Sequence, residues 1–264
     1  MSASDNGFVG ATAVVTGAGQ GIGAAIARGL AGRGVHVVLS GRRASTLEVV
    51  RDSIRSAGGS ADYCVADVTD QAQLEVLMAQ AAGSRGVIEI LVNNAGIAGP
   101  TAPLIDVTLE DWNETLAVNL TGVFLACKTA LPYLERASHG KILNIGSVTG
   151  KQPLPNRAPY AAAKLGLVGL TRTLAHEIGT SNISVNQISP WLVEGHRLGD
   201  VLSSMSRERG LTPDELRDEM TQGTAFKRTV TEADVVETAM FLCSSAADNL
   251  TGQDINVAAG AVMY

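Results

Sequence analysis

Apolar and polar positions alternate between two periods along this chain. Ala11–Thr16 is a short apolar run closed by a Gly-rich segment, the pattern of a strand buried on both faces. From Gly21 to Arg33, Ile22, Ile26 and Leu30 recur every four residues and predict a helix with one apolar face. The alternation continues, with strands predicted at Val35–Leu39, Ala61–Ala66, Ile88–Val92, Lys141–Ile145, Ile183–Ile188 and Asp254–Val257. Helices are predicted at Ala44–Ala57, Gln71–Ala82, Trp112–Arg136 (with Pro132 kinking its end), Ala158–Ile178 and from Thr231 to Leu242. Thr108 with Asp111, and Thr231 with Asp234, have capping-box spacing at two helix starts.

Seven strands joined by helical crossovers predict an α/β fold: one domain over residues 1–264, built on a doubly wound parallel sheet with helices on both faces. One stretch breaks the alternation. Trp191–Arg228 carries mixed charge and two modest helical patches, Val201–Arg209 and Pro213–Thr221. A segment this long inside a compact domain reads as a substrate lid over 191–228.

Composition narrows the class. Of 264 residues 45% are hydrophobic, only 17% charged and 29 are Gly, which excludes general disorder. The formal charge of −6 comes without a basic stripe, so nucleic-acid binding is not expected. Cys64, Cys127 and Cys243 are odd in number and set among apolar neighbours, as buried thiols in a reducing compartment would be, and they suggest no metal site. With neither a signal-peptide pattern nor an unbroken apolar run of membrane length, the expectation is a cytoplasmic protein without a membrane partner.

The first predicted turn reads Thr16-Gly17-Ala18-Gly19-Gln20-Gly21-Ile22-Gly23 and opens directly into a helix. Glycines there let backbone amides approach a pyrophosphate, which the helix N-terminus then attracts; a plain tight turn is the alternative. The second strand ends in Ser40-Gly41-Arg42-Arg43, with no carboxylate until Glu48. An acid at that place would bind a ribose 2′-hydroxyl, whereas Arg42 or Arg43 suits a 2′-phosphate. NADP(H) is therefore favoured over NAD(H), unless both arginines simply solvate a turn. Tyr160 and Lys164 stand at i and i+4 on one helix face, and Ser147 follows the fifth strand, thirteen residues before Tyr160. Asn119 interrupts an apolar helical stretch and so demands a specific partner.

Taken together, Thr16–Gly23, Asp67, Asn93–Gly96, Asn119, Ser147, Tyr160, Lys164 and Pro190 resemble, in order and spacing, the short-chain dehydrogenase/reductase family, and in particular its 3-oxoacyl-carrier-protein-reductase-like members. The resemblance runs from about residue 8 to the C-terminus and implies a Rossmann-type fold binding a nicotinamide cofactor. It implies hydride transfer between the cofactor and a secondary alcohol or ketone, with Tyr160 as general acid/base and Lys164 favouring its phenolate. Ser147 would bind the substrate oxygen and Asn119 would hold a relay water. Asp67 and Val68 would meet the adenine, Asn94, Ala95 and Gly96 the adenosine side, and Pro190 and Val193 the nicotinamide end.

Three departures from the family pattern stand out: Trp191 in place of a Gly after Pro190, Gly195 in place of a Thr, and Ala259-Gly260 in place of a Gly pair. The last is expected at subunit contacts. Trp191 either narrows the nicotinamide pocket or wedges between lid and core. Val148, Thr149, Arg157, Trp191, His196 and Arg197 are candidates for the substrate pocket, although Arg157, His196 and Arg197 also read as solvated loop charges. The substrate is a small alcohol or ketone, with a 3-oxoacyl thioester as one version. The alternatives are an NAD-dependent dehydrogenase of a polyol, sugar acid or cyclic alcohol, and a nucleotide-sensing binding protein. Apolar faces on Trp112–Arg136 and Ala158–Ile178 suggest a homotetramer, or a homodimer.

Overall fold

The computed structural model describes residues 8–152 and 154–264, and of these the side chains of His196, Arg197 and Glu208 lie outside the description. The strands are β1 (Thr12–Thr16), β2 (His36–Gly41), β3 (Ser60–Val65), β4 (Ile90–Asn93), β5 (Gly140–Ile145), β6 (Ile183–Pro190) and β7 (Asp254–Val257). They form one sheet in the order β3-β2-β1-β4-β5-β6-β7, with every pairing parallel. Parallel strands need crossovers, and the helices supply them on both faces.

The helices are α1 (Gly21–Ala31), α2 (Ala44–Ser56), α3 (Gln71–Ala82), α4 (Leu109–Leu116), α5 (Gly122–Leu134), α6 (Ala158–Ile178), α7 (His196–Arg209), α8 (Pro213–Gln222) and α9 (Glu232–Cys243). All five residues of β1 are buried, and successive side chains serve opposite faces. Ala13 and Val15 pack with Ile26, Leu30 and Val235 from α1 and α9. Val14 packs with Leu77, Val123 and Leu174 from α3, α5 and α6. The unbroken apolar runs thus mark strands sandwiched between helix layers, as parallel sheets require.

The expected long helix is interrupted. Between α4 and α5, residues Ala117–Thr121 widen into a π turn that carries Asn119, while Pro132 lies inside α5. A π turn inserts one residue and re-aims the side chains around it. By length and composition Leu109–Leu134 is long and apolar enough to cross a membrane, but its buried residues pack on α3 and the sheet.

The stretch 191–228 folds as α7 and α8, joined to the body by a bridge between Val193 and Val230. Its apolar residues Leu198, Leu202, Met205 and Leu216 form a small cluster of their own. At its far end Ala259-Gly260 meets this same chain: Phe226 N–H donates to the Ala259 carbonyl at 3.0 Å, and a β-carbon on Gly260 would lie 2.5 Å from that of Ala225.

Candidate active site

After β3 the chain crosses to the other side of β1, so the connections that leave the C-terminal ends of β1 and β4 run in opposite directions, and a crevice is expected there. A cavity of about 1320 Å³ opens at this place. One end is lined by Gly17, Gly19, Gln20, Gly21 and Ile22, the turn between β1 and α1. Gly17 and Gly21 have φ of +63° and +56°, which disfavours a side chain. The Gln20 side chain makes no cap bond to α1 and the first turn holds no acid, so its amides are left for an anion.

Gly23 does not line this cavity. A β-carbon there would lie 2.3 Å from Asn94 Nδ2 and 2.4 Å from the Gly17 carbonyl oxygen, so the glycine serves close packing behind the turn. Asn94 locks that packing by donating from Nδ2 to the carbonyls of Thr16 at 3.1 Å and Gly17 at 3.0 Å. The Asn94 and Ala95 amides both donate to Thr16 Oγ1.

At the end of β2 the cavity is lined by Gly41, Arg42, Arg43 and Thr46. Both arginines are exposed, Arg43 donates to Gln20 Oε1 at 3.2 Å, and α2 also starts without a side-chain cap or first-turn acid. Thr46, which has no motif signal, lines the site beside Gly19. Asp67 and Val68 follow β3 into the cavity; Asp67 Oδ1 accepts from Thr69 N–H and Oγ1–H at 2.9 and 2.8 Å. Ala95 and Gly96 complete this side.

Ser147, Tyr160 and Lys164 come together farther along the same cavity. Ser147 leaves the end of β5 and its Oγ accepts from Thr149 N–H at 3.1 Å, starting a tight turn over Val148–Gly150. Pro159 presets the first turn of α6 and places Tyr160 and Lys164 on one face. Lys164, 4% exposed, donates to the Ile145 carbonyl at 2.8 Å, and its Nζ lies 5.7 Å from the Tyr160 ring centre. Asn119 is fully buried behind Gly96; its Nδ2 donates to the Ile97 and Thr115 carbonyls. Its Oδ1 has no hydrogen-bond partner within the protein and lies 2.7 Å from where a Gly96 β-carbon would be. The orphaned oxygen is suited to a water.

The substrate candidates separate. Thr149, Arg157 and Trp191 line the cavity together with Leu154, Leu192 and Met220. Val148 does not; it is fully buried with Trp191, Ala258 and Val262, so its side chain supports the floor instead. Trp191 does both jobs, 7% exposed in that cluster yet on the cavity wall, next to Leu192 at an unusual φ of +45°. The His196 and Arg197 side chains lie outside the described residues. Arg157 is not a solvated loop charge: it is 4% exposed, donates to Thr101 Oγ1 at 2.9 Å, and sits 5.0 Å from the Tyr160 ring centre.

Pro190 and Val193 line the cavity where the 191–228 segment begins, joined by Glu194, Asp200 and Glu232. Glu232 passes in the sequence for an ordinary first-turn acid of α9. In space its Oε1 stands 3.7 Å from a β-carbon built on Gly21 and 3.6 Å from one on Gly195, between the glycine turn and the start of α7.

The chain matches the short chain dehydrogenase family over residues 11–205. It is 34% identical to the D-beta-hydroxybutyrate dehydrogenase of Rhizobium meliloti (strain 1021), covering 94% of this chain and 97% of that protein. The crystal structure of a tryptophan variant of the actinorhodin polyketide ketoreductase with NADPH superposes with a TM-score of 0.91 at 34% identity, covering 96% of this chain and 98% of that one. NAD+-bound xylitol dehydrogenase superposes with a TM-score of 0.92 at 28% identity, covering 96% and 99%. Matched along most of its length by the family and by these relatives, the chain belongs to the short-chain dehydrogenases, oxidoreductases of alcohol and ketone groups.

Proposed function

We propose that the enzyme uses NADP(H), in preference to NAD(H), to interconvert a small secondary alcohol and its ketone, and that the substrate carries an anionic group. The observation that carries the reaction is the meeting of Ser147, Tyr160 and Lys164 in one cavity with the uncapped start of α1. The glycine turn and α1 amides would hold the pyrophosphate, Asp67 and Val68 the adenine, and Asn94, Ala95 and Gly96 the adenosine side. The nicotinamide supplies the hydride chemistry.

The protein's own residues manage orientation and one proton. Ser147 Oγ–H donates to the substrate oxygen, and Tyr160 Oη exchanges the proton with it as the hydride moves. The Lys164 ammonium beside the ring favours the phenolate. Asn119 holds a water that links Lys164 to solvent. Pro190 and Val193 bound the nicotinamide end, and the 191–228 segment is the lid.

Arg42 and Arg43 are the charged residues that line the cavity at the β2 end, which supports NADP(H). The buried Arg157 guanidinium, on the wall beside Tyr160, supports a hydroxy or oxo acid, or another anionic ketone, over a neutral one. The similarity to a hydroxybutyrate dehydrogenase agrees with this. A nucleotide-sensing protein would need neither Tyr160 nor Lys164. A cytoplasmic homotetramer is part of the reading, since Leu109, Phe124 and Leu165 are exposed apolar residues of α4, α5 and α6.

Fluorescence titration with NADPH and NADH, followed by turnover of a panel of hydroxy acids, neutral alcohols and their ketones, tests it. Tyr160→Phe should abolish turnover while cofactor binding persists; near-normal turnover in that variant would refute the mechanism.

A further inference from the structure

A row of polar side chains crosses four strands just beneath the catalytic residues. Asn93, Asn144, Gln187 and Asp254 are register partners across β4, β5, β6 and β7. Asn93 Nδ2 donates to Asn144 Oδ1 at 2.9 Å, and Asn144 Nδ2 donates to Thr171 Oγ1 at 2.9 Å. Thr171 donates to Gln187 Oε1 at 3.4 Å, Gln187 Nε2 to Ser189 Oγ at 3.0 Å, and Ser189 to Asp254 Oδ1 at 2.6 Å. Every donor points the same way, toward the carboxylate. Asn93, Asn144, Thr171, Gln187 and Ser189 are all buried. The Asp254 side chain is 3% exposed and that of Lys151 11%, with Lys151 Nζ 2.8 Å from Asp254 Oδ2 and also donating to Asn256 Oδ1.

Such a row is expensive in a core. Buried polar groups must all be paired, and a buried ion pair is often replaceable by apolar residues without loss of stability. Its location gives it another use. Lys151 directly follows the Val148–Gly150 turn that begins at Ser147. Gly150 is so close to α6 that a β-carbon would lie 2.8 Å from Leu165 N and 2.9 Å from Lys164 C. A β-carbon on Gly146 would lie 2.3 Å from Gln187 Nε2. Thr171 stands seven residues after Lys164, on the same face of α6. The row therefore touches the segment carrying Ser147 from below, at Gly146, and from beyond, at Lys151.

We propose that Lys151 and Asp254, as the charged end of this donor chain, are positioning residues that clamp the Ser147 turn between α6 and β7. Neither side chain lines the cavity; both act through Ser147. The role rests on the oxidoreductase reading for its kinetic consequence, though its structural consequence can be read without turnover.

The test compares Asp254→Asn with the double variant Lys151→Met/Asp254→Leu in the full-length protein. Hydrogen exchange of the 146–152 peptide, turnover and NADPH binding are measured on each. Both variants should exchange faster in 146–152 and lose about 10- to 100-fold in kcat, since misplacement by ~1 Å has that scale. NADPH dissociation constants should stay within about twofold, because the glycine turn is not touched. The double variant should recover thermal stability, an apolar pair replacing an ionic one, and still turn over slowly. Exchange at the wild-type rate in both variants, or a double variant whose kcat recovers along with its stability, overturns the clamp. If the wild-type protein turns over nothing in the panel, the proposed substrate class fails instead, and exchange alone decides the clamp.

Discussion

Lys164 donates a 2.8 Å hydrogen bond to the carbonyl of Ile145, two residues before Ser147, while standing beside the Tyr160 ring. One ammonium thus joins α6 to the strand end that leads to the serine. Lys164→Met should lower kcat by about 10²-fold or more, the range for a lost acid/base partner. The pH at which turnover is half-maximal should also move upward, because the phenolate loses its neighbouring cation. A pH–rate profile unchanged from wild type would contradict this role.

Arg42 and Arg43 stand at an uncapped helix start, where a phosphate gains from both side chain and backbone. Arg42→Ala should weaken NADPH binding by about 10-fold or more, a charged hydrogen bond being worth that much. NADH should change by less than about twofold, since it lacks the 2′-phosphate. Paired titrations at fixed salt decide it, and equal losses for both cofactors would speak for NAD(H).

Arg157→Gln should reduce the acid-to-neutral ratio of kcat/KM by about 10-fold or more. Using the ratio cancels any general effect of the substitution on Tyr160. Steady-state kinetics on a matched hydroxy acid and its methyl ester would measure it, and an unchanged ratio would assign Arg157 to packing alone.

Burial pushes the Cys127 and Cys243 thiols up to about 12, and raises that of Cys64 as well. At pH 8 a thiol of that kind is ionised in only about one molecule in 10⁴, so an aromatic disulfide reagent should spare both in the native protein. All three should react in denaturant. The sign for stability follows: unfolded thiols ionise near pH ~8.5 and the folded ones do not. Their contribution is complete below that pH and declines as the pH rises toward 12. Urea midpoints at pH 8 and pH 10 would show the drop.

Gly23→Ala places a methyl against Asn94 and the Gly17 carbonyl. Overpacking of this kind costs about 1–3 kcal/mol, and here it should also weaken the binding of both cofactors. Chemical denaturation and a nucleotide titration on the same sample report the two effects.

The sequence told most where one local rule decided the outcome. Gln71–Ala82, Ala158–Ile178 and Asp254–Val257 begin and end as their periodicity and flanking residues indicate. Strand ends shifted by one or two residues, as at β4, where no glycine or proline marks the stop. The π turn at Asn119 was legible only as a polar residue that needed partners, because no propensity scale encodes a widened turn. Glu232 gave no signal, and Arg157 read either as a pocket residue or as a solvated loop charge. Each looks like a routine charge at a helix start, and only the packing of distant segments decides whether such a charge meets water or the cavity.

Asn94 fastens the glycine turn from a strand that arrives more than seventy residues later. The glycine motif is contiguous in sequence but is not a portable cassette. A fragment ending before Asn94 would contain every glycine of the motif and lack the amide that holds them in shape. Transplanting those eight residues into another strand–helix junction would likewise carry over the letters of the site and leave its lock behind.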